Sequence, residues 1–195
     1  MERQNPRRTL TAREDAETRF ARLHDAHFEI VRRYAWRRDP EIADDVAAET
    51  FVVAWRRLDE VPEDARPWLI GVARNVRLNI RRSQRRQQSV VSALQEKGLQ
   101  VRAEEAGSSL ELPQQLAEAL DALSASDREV LLLHAWDELD TAQIATALGC
   151  SKANASLRLH RAKRRFEQAL GARAGTRNEV DRSSTTTGEG AVDGC

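Results

Sequence analysis

The sequence predicts an all-α protein built of two small helical domains that are joined by a flexible linker. Strand signals are nearly absent from the 195 residues, and apolar residues recur at the three- and four-residue spacing of amphipathic helices. A segment with Gly, Ser and weak periodicity, 89–112, separates a predicted domain over 12–88 from another over 113–170. The last segment, 171–195, has few large apolar side chains, and we expect it to be a disordered tail.

Start signals mark the helices of the first domain. Thr11 and Glu14 form a capping box that predicts the start of a long first helix. Asp39 and Pro40 supply an N-cap and a proline at the first position of a second helix, expected to run to about Leu58.

The second domain is expected to begin at Pro113 and to be helical throughout. Ser126 and Glu129 match a capping box ahead of an apolar helix. Two short helices follow, and Gly149 permits the tight turn that separates them. This pattern predicts a helix–turn–helix over 141–166.

A net charge of zero hides a strong segregation of charge along the chain. Residues 39–50 hold five acids and no base, whereas 72–88 hold six arginines and no acid, and 152–165 hold six bases and no acid. Blocks of one sign create local fields that the net charge does not report. Binding to nucleic acid is therefore not excluded by the neutral average.

Composition argues against several other classes of protein. No apolar run approaches the roughly 20 residues of a membrane helix, so membrane insertion is not expected. The first residues lead into no apolar stretch, so a secretory signal is not expected either. Cys150 and Cys195 are the two cysteines and form no C-x-x-C pair, which argues against a disulfide framework and a zinc site. We expect a cytoplasmic protein without a metal or another cofactor.

The helix–turn–helix is the clearest functional pattern. Its second helix carries one inward apolar stripe and one basic side, and a basic side suits insertion into the major groove of DNA. The candidate DNA contacts on it are Ala153, Asn154, Ser156, Leu157, Arg158, Arg161 and Lys163. The alternative is a structural helical hairpin with a solvated basic face.

A second basic surface is predicted on a third helix, which begins at Pro67 after a loop over 59–65. Its arginines recur on a face apart from the buried stripe, and such a ladder suits a phosphate backbone. The candidate contacts are Trp68, Arg74, Asn75, Arg77, Arg81 and Arg82. Trp68 would either stack on an unpaired base or simply fill the core.

The second helix combines aromatic and acidic residues. Phe51 and Trp55 lie on one side of it, so the helix is either sandwiched within its own bundle or docked on a partner. Asp44 and Asp45 diverge by about 100° on a helix, and with Glu49 they make a poor metal or acid–base site. An acidic edge that faces solvent or a partner is expected instead.

These motifs resemble those of the extracytoplasmic-function (ECF) sigma factors of bacterial RNA polymerase. Residues 44–55 resemble sigma region 2.2, and residues 67–76 resemble region 2.4. Residues 139–145 and 159–163 resemble region 4.2. The motifs occur in the order and spacing of the family, from about residue 20 to residue 170.

The resemblance implies a transcription initiation factor that catalyses no reaction itself. The second helix would bind core RNA polymerase at the β′ clamp helices, and the β flap would be a further contact. The residues implied in polymerase binding are Asp44, Asp45, Glu49, Phe51 and Trp55. The loop after Leu58 and the helix from Pro67 would capture the −10 element of promoter DNA and help to separate its strands. The helix over 152–165 would read the −35 element, and an anti-sigma factor would mask both domains.

Two alternatives remain open on the residues alone. A stand-alone helix–turn–helix regulator would leave the arginine ladder and the aromatic side of the second helix without a role. A hydrolase or nuclease built on the acids of the second helix would need a metal and a nucleophile that the sequence does not indicate. Residues 153–155 and Leu157 also depart from the usual recognition helix of the family, which leaves the promoter sequence open.

Overall fold

The structure, a computed structural model, describes the backbone of residues 6–94 and 113–184 and the side chains of 14–87 and 113–171. Within these ranges the chain forms α-helices and 3₁₀ turns and no strand, so the predicted all-α class is confirmed. The α-helices are α1 Pro6–Arg38, α2 Ala43–Arg56, α3 Ala65–Leu94, α4 Gln114–Asp121, α5 Ala125–Ala135, α6 Thr141–Leu148 and α7 Lys152–Ser184. The 3₁₀ turns are Pro40–Ile42 and Leu58–Glu60.

Several helices extend beyond their predicted ends. The first begins at Pro6, so Thr11 lies inside α1 and does not begin it; proline at a first helical position gives up no helical hydrogen bond. The third runs to Leu94, so that 89–94, predicted as linker, is helical, and 95–112 lies outside the described residues.

The last helix also passes its predicted end. Residues 171–184, expected to lack structure, continue α7, whereas 185–195 lie outside the described residues. Extending an existing helix avoids the cost of nucleating a new one, and alanines and arginines in this segment favour the helix.

The described residues form two compact units. Of the described residues, the first contains 6–94 and 142–151, and within it α1, α2 and α3 pack against one another. The side chains that are most fully buried there include Val31, Tyr34, Val46, Leu69 and Ile70. Each buried aliphatic side chain contributes about 1.5–3 kcal/mol, so these residues fix how the three helices pack.

The first unit also includes α6, which the sequence assigns to the second predicted domain. A Cβ atom on Gly71 would lie 2.9 Å from the carbonyl oxygen of Ala147. The Gln143 amide donates to a carboxylate oxygen of Asp64 at 3.0 Å. The boundary predicted at residue 113 therefore does not coincide with this grouping by contacts, and the predicted domain limits stay a prediction.

In the second unit, α4, α5 and α7 surround a separate core. Its buried members are Leu120, Leu123, Leu131 and Ala162, with Trp136 and Phe166 packed against them. The predicted capping box at Ser126 is displaced by two residues, because Ser124 caps α5. Its hydroxyl accepts from the Asp127 amide at 3.1 Å and donates to the Asp127 carboxylate at 2.9 Å.

Asp39 has a different role from the predicted helix cap. Its side chain makes no capping hydrogen bond, and it is 1% exposed. Arg81 of α3 donates to both of its carboxylate oxygens. A buried carboxylate is strongly destabilising without a charged partner, so this pair ties the end of α1 to α3.

Replacing Asp39 by Ala should lower the free energy of unfolding by about 2–4 kcal/mol, because the substitution leaves Arg81 without its buried partner. Urea unfolding would measure the change as a shift in midpoint. Glu41 is the matched control, since it also accepts from Arg81, at 3.3 Å, but is 80% exposed. Glu41→Ala should cost less than about 1 kcal/mol; equal losses in the two variants would contradict the role of the buried pair.

Candidate functional site

The outer face of α2 is both acidic and apolar. Asp44, Asp45 and Glu49 are exposed, and Trp55 is 42% exposed. Val52 lies beside them and is 39% exposed. Asp44 accepts from the Arg32 Nε at 2.9 Å, so part of its charge is offset within the unit. The hydrogen bond that Arg32 donates to Asp44 in turn raises the pKa of Arg32.

Phe51 is not part of that outer face. It is 4% exposed and belongs to the core, so its burial does not support a direct contact with a partner, and that contact stays a prediction. The helical repeat places Phe51 about 40° from Trp55 and about 160° from Glu49, so it lies at the border between the exposed face and the core. Phe51 instead packs against the rings of α1 on the inner side of α2.

Five rings from two helices, including that of Trp55, form an aromatic cluster. On α1, His24 stacks on Phe28 with ring centroids 4.8 Å apart. From α2, Trp55 meets Phe20 edge-on at 5.1 Å, and Phe51 meets His24 edge-on at 4.9 Å. The four-residue spacing of 20, 24 and 28 is a sequence signal for this cluster that the helix-by-helix analysis missed.

The outer face of α3 lies about a quarter-turn from the predicted arginine ladder. Its exposed residues are Asn75, Leu78, Asn79, Arg82, Arg85 and Arg86. Arg74 and Arg77 are half-buried on the flank of this face. Arg81 is bound by Asp39, by Glu41 and by Gln84, whose side-chain oxygen lies at 3.0 Å. The guanidinium of Arg81 is thus occupied within the unit, and its contact with DNA stays a prediction.

Residues 58–64 lead from Arg57, the residue after α2, to the start of α3. Two arginines, Arg19 and Arg57, hydrogen-bond to residues of this segment. Arg19 of α1 donates to the Leu58 carbonyl at 2.8 Å. Arg57 donates through Nε to Glu60 at 3.0 Å, and its guanidinium carbon lies 5.6 Å from the ring centroid of Trp68. Trp68 itself is half-buried, between its two predicted roles of core residue and stacking surface.

A turn of three residues joins α6 to α7. Gly149 has a φ of 63°, as its predicted place in a tight turn requires, and the Cys150 amide donates to the Ala145 carbonyl at 3.0 Å. The predicted inward stripe of α7 is confirmed at Ala155, Leu159 and Ala162, which are buried. Exposed on the same helix are Ala153, Asn154, Ser156, Leu157, Arg161 and Lys163.

No group of three or more His, Cys, Asp or Glu residues that could hold a metal ion occurs among the described side chains. None of the described helices combines the length and the apolar character that crossing a bilayer demands.

Comparison with known proteins places these surfaces in a family. A family model of sigma-70 region 2 matches residues 20–87, and a model of sigma-70 region 4 matches residues 113–166. The ECF RNA polymerase sigma factor SigL of Mycobacterium tuberculosis is 36% identical over 155 residues, which cover 76% of this chain and 86% of SigL. The chain belongs to the ECF sigma factors. It is therefore a transcription initiation factor that directs RNA polymerase to promoters.

Two solved structures share the fold of this ECF sigma factor. The sigma factor RpoE of Bartonella quintana, solved with the anti-sigma factor NepR, gives a TM-score of 0.57 at 23% identity and covers 78% of this chain and 96% of its own. CnrH, solved with the cytosolic domain of CnrY, gives 0.51 at 23% identity, with 78% and 88% covered.

In this sigma factor, α7 is fastened to α5 by its own basic residues. Arg165 donates to the Asp127 carboxylate, and Arg158 donates to the Ser126 hydroxyl at 3.3 Å. Lys163 Nζ lies 3.0 Å from the Nε2 atom of His134. Arg158 and Lys163, both predicted DNA contacts, therefore also contact α5. Sequence reasoning missed Asp127, although its three-residue spacing from Ser124 is a capping signal.

Asp127 should make stability in this unit depend on pH. Burial alone raises the pKa of Asp127, but hydrogen bonds from Arg165 and Ser124 outweigh it, and the pKa lies below its ordinary value. Stabilisation by the carboxylate is thus full above the unfolded-state pKa of about 4 and is lost as pH falls through the lower folded-state value. Asp127→Asn should cost about 1 kcal/mol at pH 7. The difference from wild type should shrink in urea unfolding as the pH falls below about 4; a constant difference would contradict this account.

Proposed function

We propose that this sigma factor holds core RNA polymerase with the outer face of α2 and reads promoter DNA with two further surfaces. These are the outer face of α3 with the segment 58–64, for the −10 element, and the exposed side of α7 over 153–163, for the −35 element. The observation that supports the proposal most directly is the exposure of three surfaces with different chemistry inside the matched sigma regions. The chain catalyses no reaction in this scheme and acts in the cytoplasm, where the polymerase works.

The outer face of α2 has the composition of a protein interface. An exposed aromatic residue among polar neighbours often dominates binding energy, and Trp55 has this setting. Asp45 and Glu49 supply acidic groups around it, which would attract a basic partner surface. We assign the β′ clamp helices as this partner, with the β flap as a contact of the second predicted domain, 113–170, beyond the linker 89–112.

The two DNA surfaces suit different forms of DNA. On α3, Asn75, Asn79 and exposed arginines can follow a phosphate backbone, and Trp68 lies where an unpaired base could stack. On α7, Asn154 and Arg161 offer groups that hydrogen-bond base edges. Leu157 is 47% exposed, which suits contact with a thymine methyl group.

An anti-sigma factor is the remaining partner that we propose. RpoE and CnrH were each solved with a protein partner, NepR in the first case. The exposed Val52, Trp55 and Leu157 are apolar groups that such a partner would cover. Masking them would compete with polymerase and with DNA for the same surfaces.

Replacing Trp55 by Ala should weaken binding to core polymerase at least tenfold, because the substitution removes the aromatic centre of the proposed interface. Competition for core enzyme against labelled wild-type protein would measure it. Trp36 on α1 is a matched control, since it is 48% exposed and lies outside the proposed face. Equal effects of Trp55→Ala and Trp36→Ala would argue against the assignment. Phe51→Ala should instead lower stability by about 3–5 kcal/mol.

Replacing Arg161 by Ala should weaken binding of holoenzyme to a promoter fragment and reduce the slope of log K against log salt by about one, because one phosphate contact is lost. The fragment would be selected from a random DNA library with wild-type holoenzyme. Arg33→Ala removes the same charge from an exposed site on α1. An unchanged salt slope in Arg161→Ala, or an equal change in Arg33→Ala, would contradict a contact between α7 and DNA.

A further inference from the structure

Arg57 lies between α2 and the 3₁₀ turn Leu58–Glu60, and its side chain lies near the start of α3. It follows α2 directly, and its carbonyl accepts from the Glu60 amide at 2.9 Å. Its side chain donates to the carboxylate of the same Glu60 through both Nε and Nη2. The 3₁₀ turn Leu58–Glu60 is therefore closed twice by one residue, once by the main chain and once by the side chain.

The same guanidinium also lies near Trp68, which follows the segment in the chain. Its central carbon lies 5.6 Å from the Trp68 ring centroid, within the range of a cation–π contact, and Trp68 belongs to the first turns of α3. The residues between Glu60 and α3 are thus held at both ends by one planar cation. The side-chain hydrogen bond with Arg57 lowers the pKa of Glu60, so the carboxylate is charged at neutral pH.

We propose that Arg57 is a positioning residue for reading the −10 element: it fixes the segment 58–64 and Trp68 by binding Glu60 and the indole together. The proposal rests on the function proposed above for this segment. Without the bridge, the segment would have to become ordered when DNA binds. Each residue fixed on binding loses conformational entropy, so the affinity for DNA would be lower. Arg57 need not touch DNA in this role.

Glu60 separates this proposal from a simple charge effect. An acid beside DNA repels phosphate, so Glu60→Gln should strengthen binding if Glu60 is only a surface charge. If Glu60 holds Arg57 in place, the same substitution should weaken binding. Arg57→Gln should weaken it by the same mechanism, and Arg57→Lys should be partly impaired, since lysine keeps the charge but lacks the planar fork.

The test uses holoenzyme made from the full chain and bacterial core RNA polymerase. The probe is a forked DNA library with a random duplex at −35 and a random single-stranded non-template segment at −10. Sequencing the bound fraction gives base preferences at both elements, and competition gives the affinity of the selected fork against one with a scrambled −10 segment. Arg56→Gln is the matched control, because Arg56 is exposed and adjacent to Arg57 and its substitution removes the same charge.

The proposal expects Arg57→Gln and Glu60→Gln each to lose about fivefold in affinity for the selected fork, the size expected for one exposed ion pair with a cation–π contact. The double variant should bind no more weakly than either single one, because both act through one bridge. Preferences at −35, affinity for the scrambled fork and the melting temperature should stay at wild-type values.

Three results would overturn the proposal: tighter or unchanged binding by Glu60→Gln, additive losses in the double variant, or an equal loss in Arg56→Gln. A wild-type holoenzyme that shows no base preference in the single-stranded segment would overturn the proposed −10 function itself, and the role of Arg57 with it. A preference in wild type that both variants retain in full would overturn the role of Arg57 alone.

Discussion

The ion pair between Asp39 and Arg81, together with the buried Leu69 and Ile70, fixes which side of α3 faces outward. A carboxylate that is 1% exposed leaves α3 little freedom to rotate, because turning the helix would separate the two charges inside the protein. With Arg81 directed inward, Asn75, Asn79 and Arg82 are left on the outside. One buried pair, 42 residues apart in the chain, thereby helps to set the chemistry of a whole surface.

Local patterns were enough to predict the helical class and the inner face of α7. The spacing of Ala155, Leu159 and Ala162 identifies one side of a helix with no knowledge of its neighbours. Gly149 likewise indicated a turn from its residue type alone. In each case the decisive interactions lie within a few residues of one another, which is the range over which a sequence pattern carries information.

The features that local patterns did not predict come from interactions between distant segments. The periodicity of α3 allows two cationic faces about a quarter-turn apart, and only the partner of Arg81 decides between them. Phe51 and Trp55 are one helical turn apart, yet packing against α1 buries the first and leaves the second exposed. Asp127 was overlooked because its main partner, Arg165, lies 38 residues further on. Neither composition nor spacing within one helix records such pairings.

The turn before α7 contains a position that tolerates few residue types, whereas exposed positions of α7 tolerate many. A side chain at Gly149 would have to adopt a left-handed backbone conformation at a cost of about 1–2 kcal/mol, so few residues are tolerated there. A few positions later, Ala153 and Leu157 are exposed on the helix. Exchange of outward side chains would therefore leave unaltered both the turn and the buried stripe of the helix that follows it.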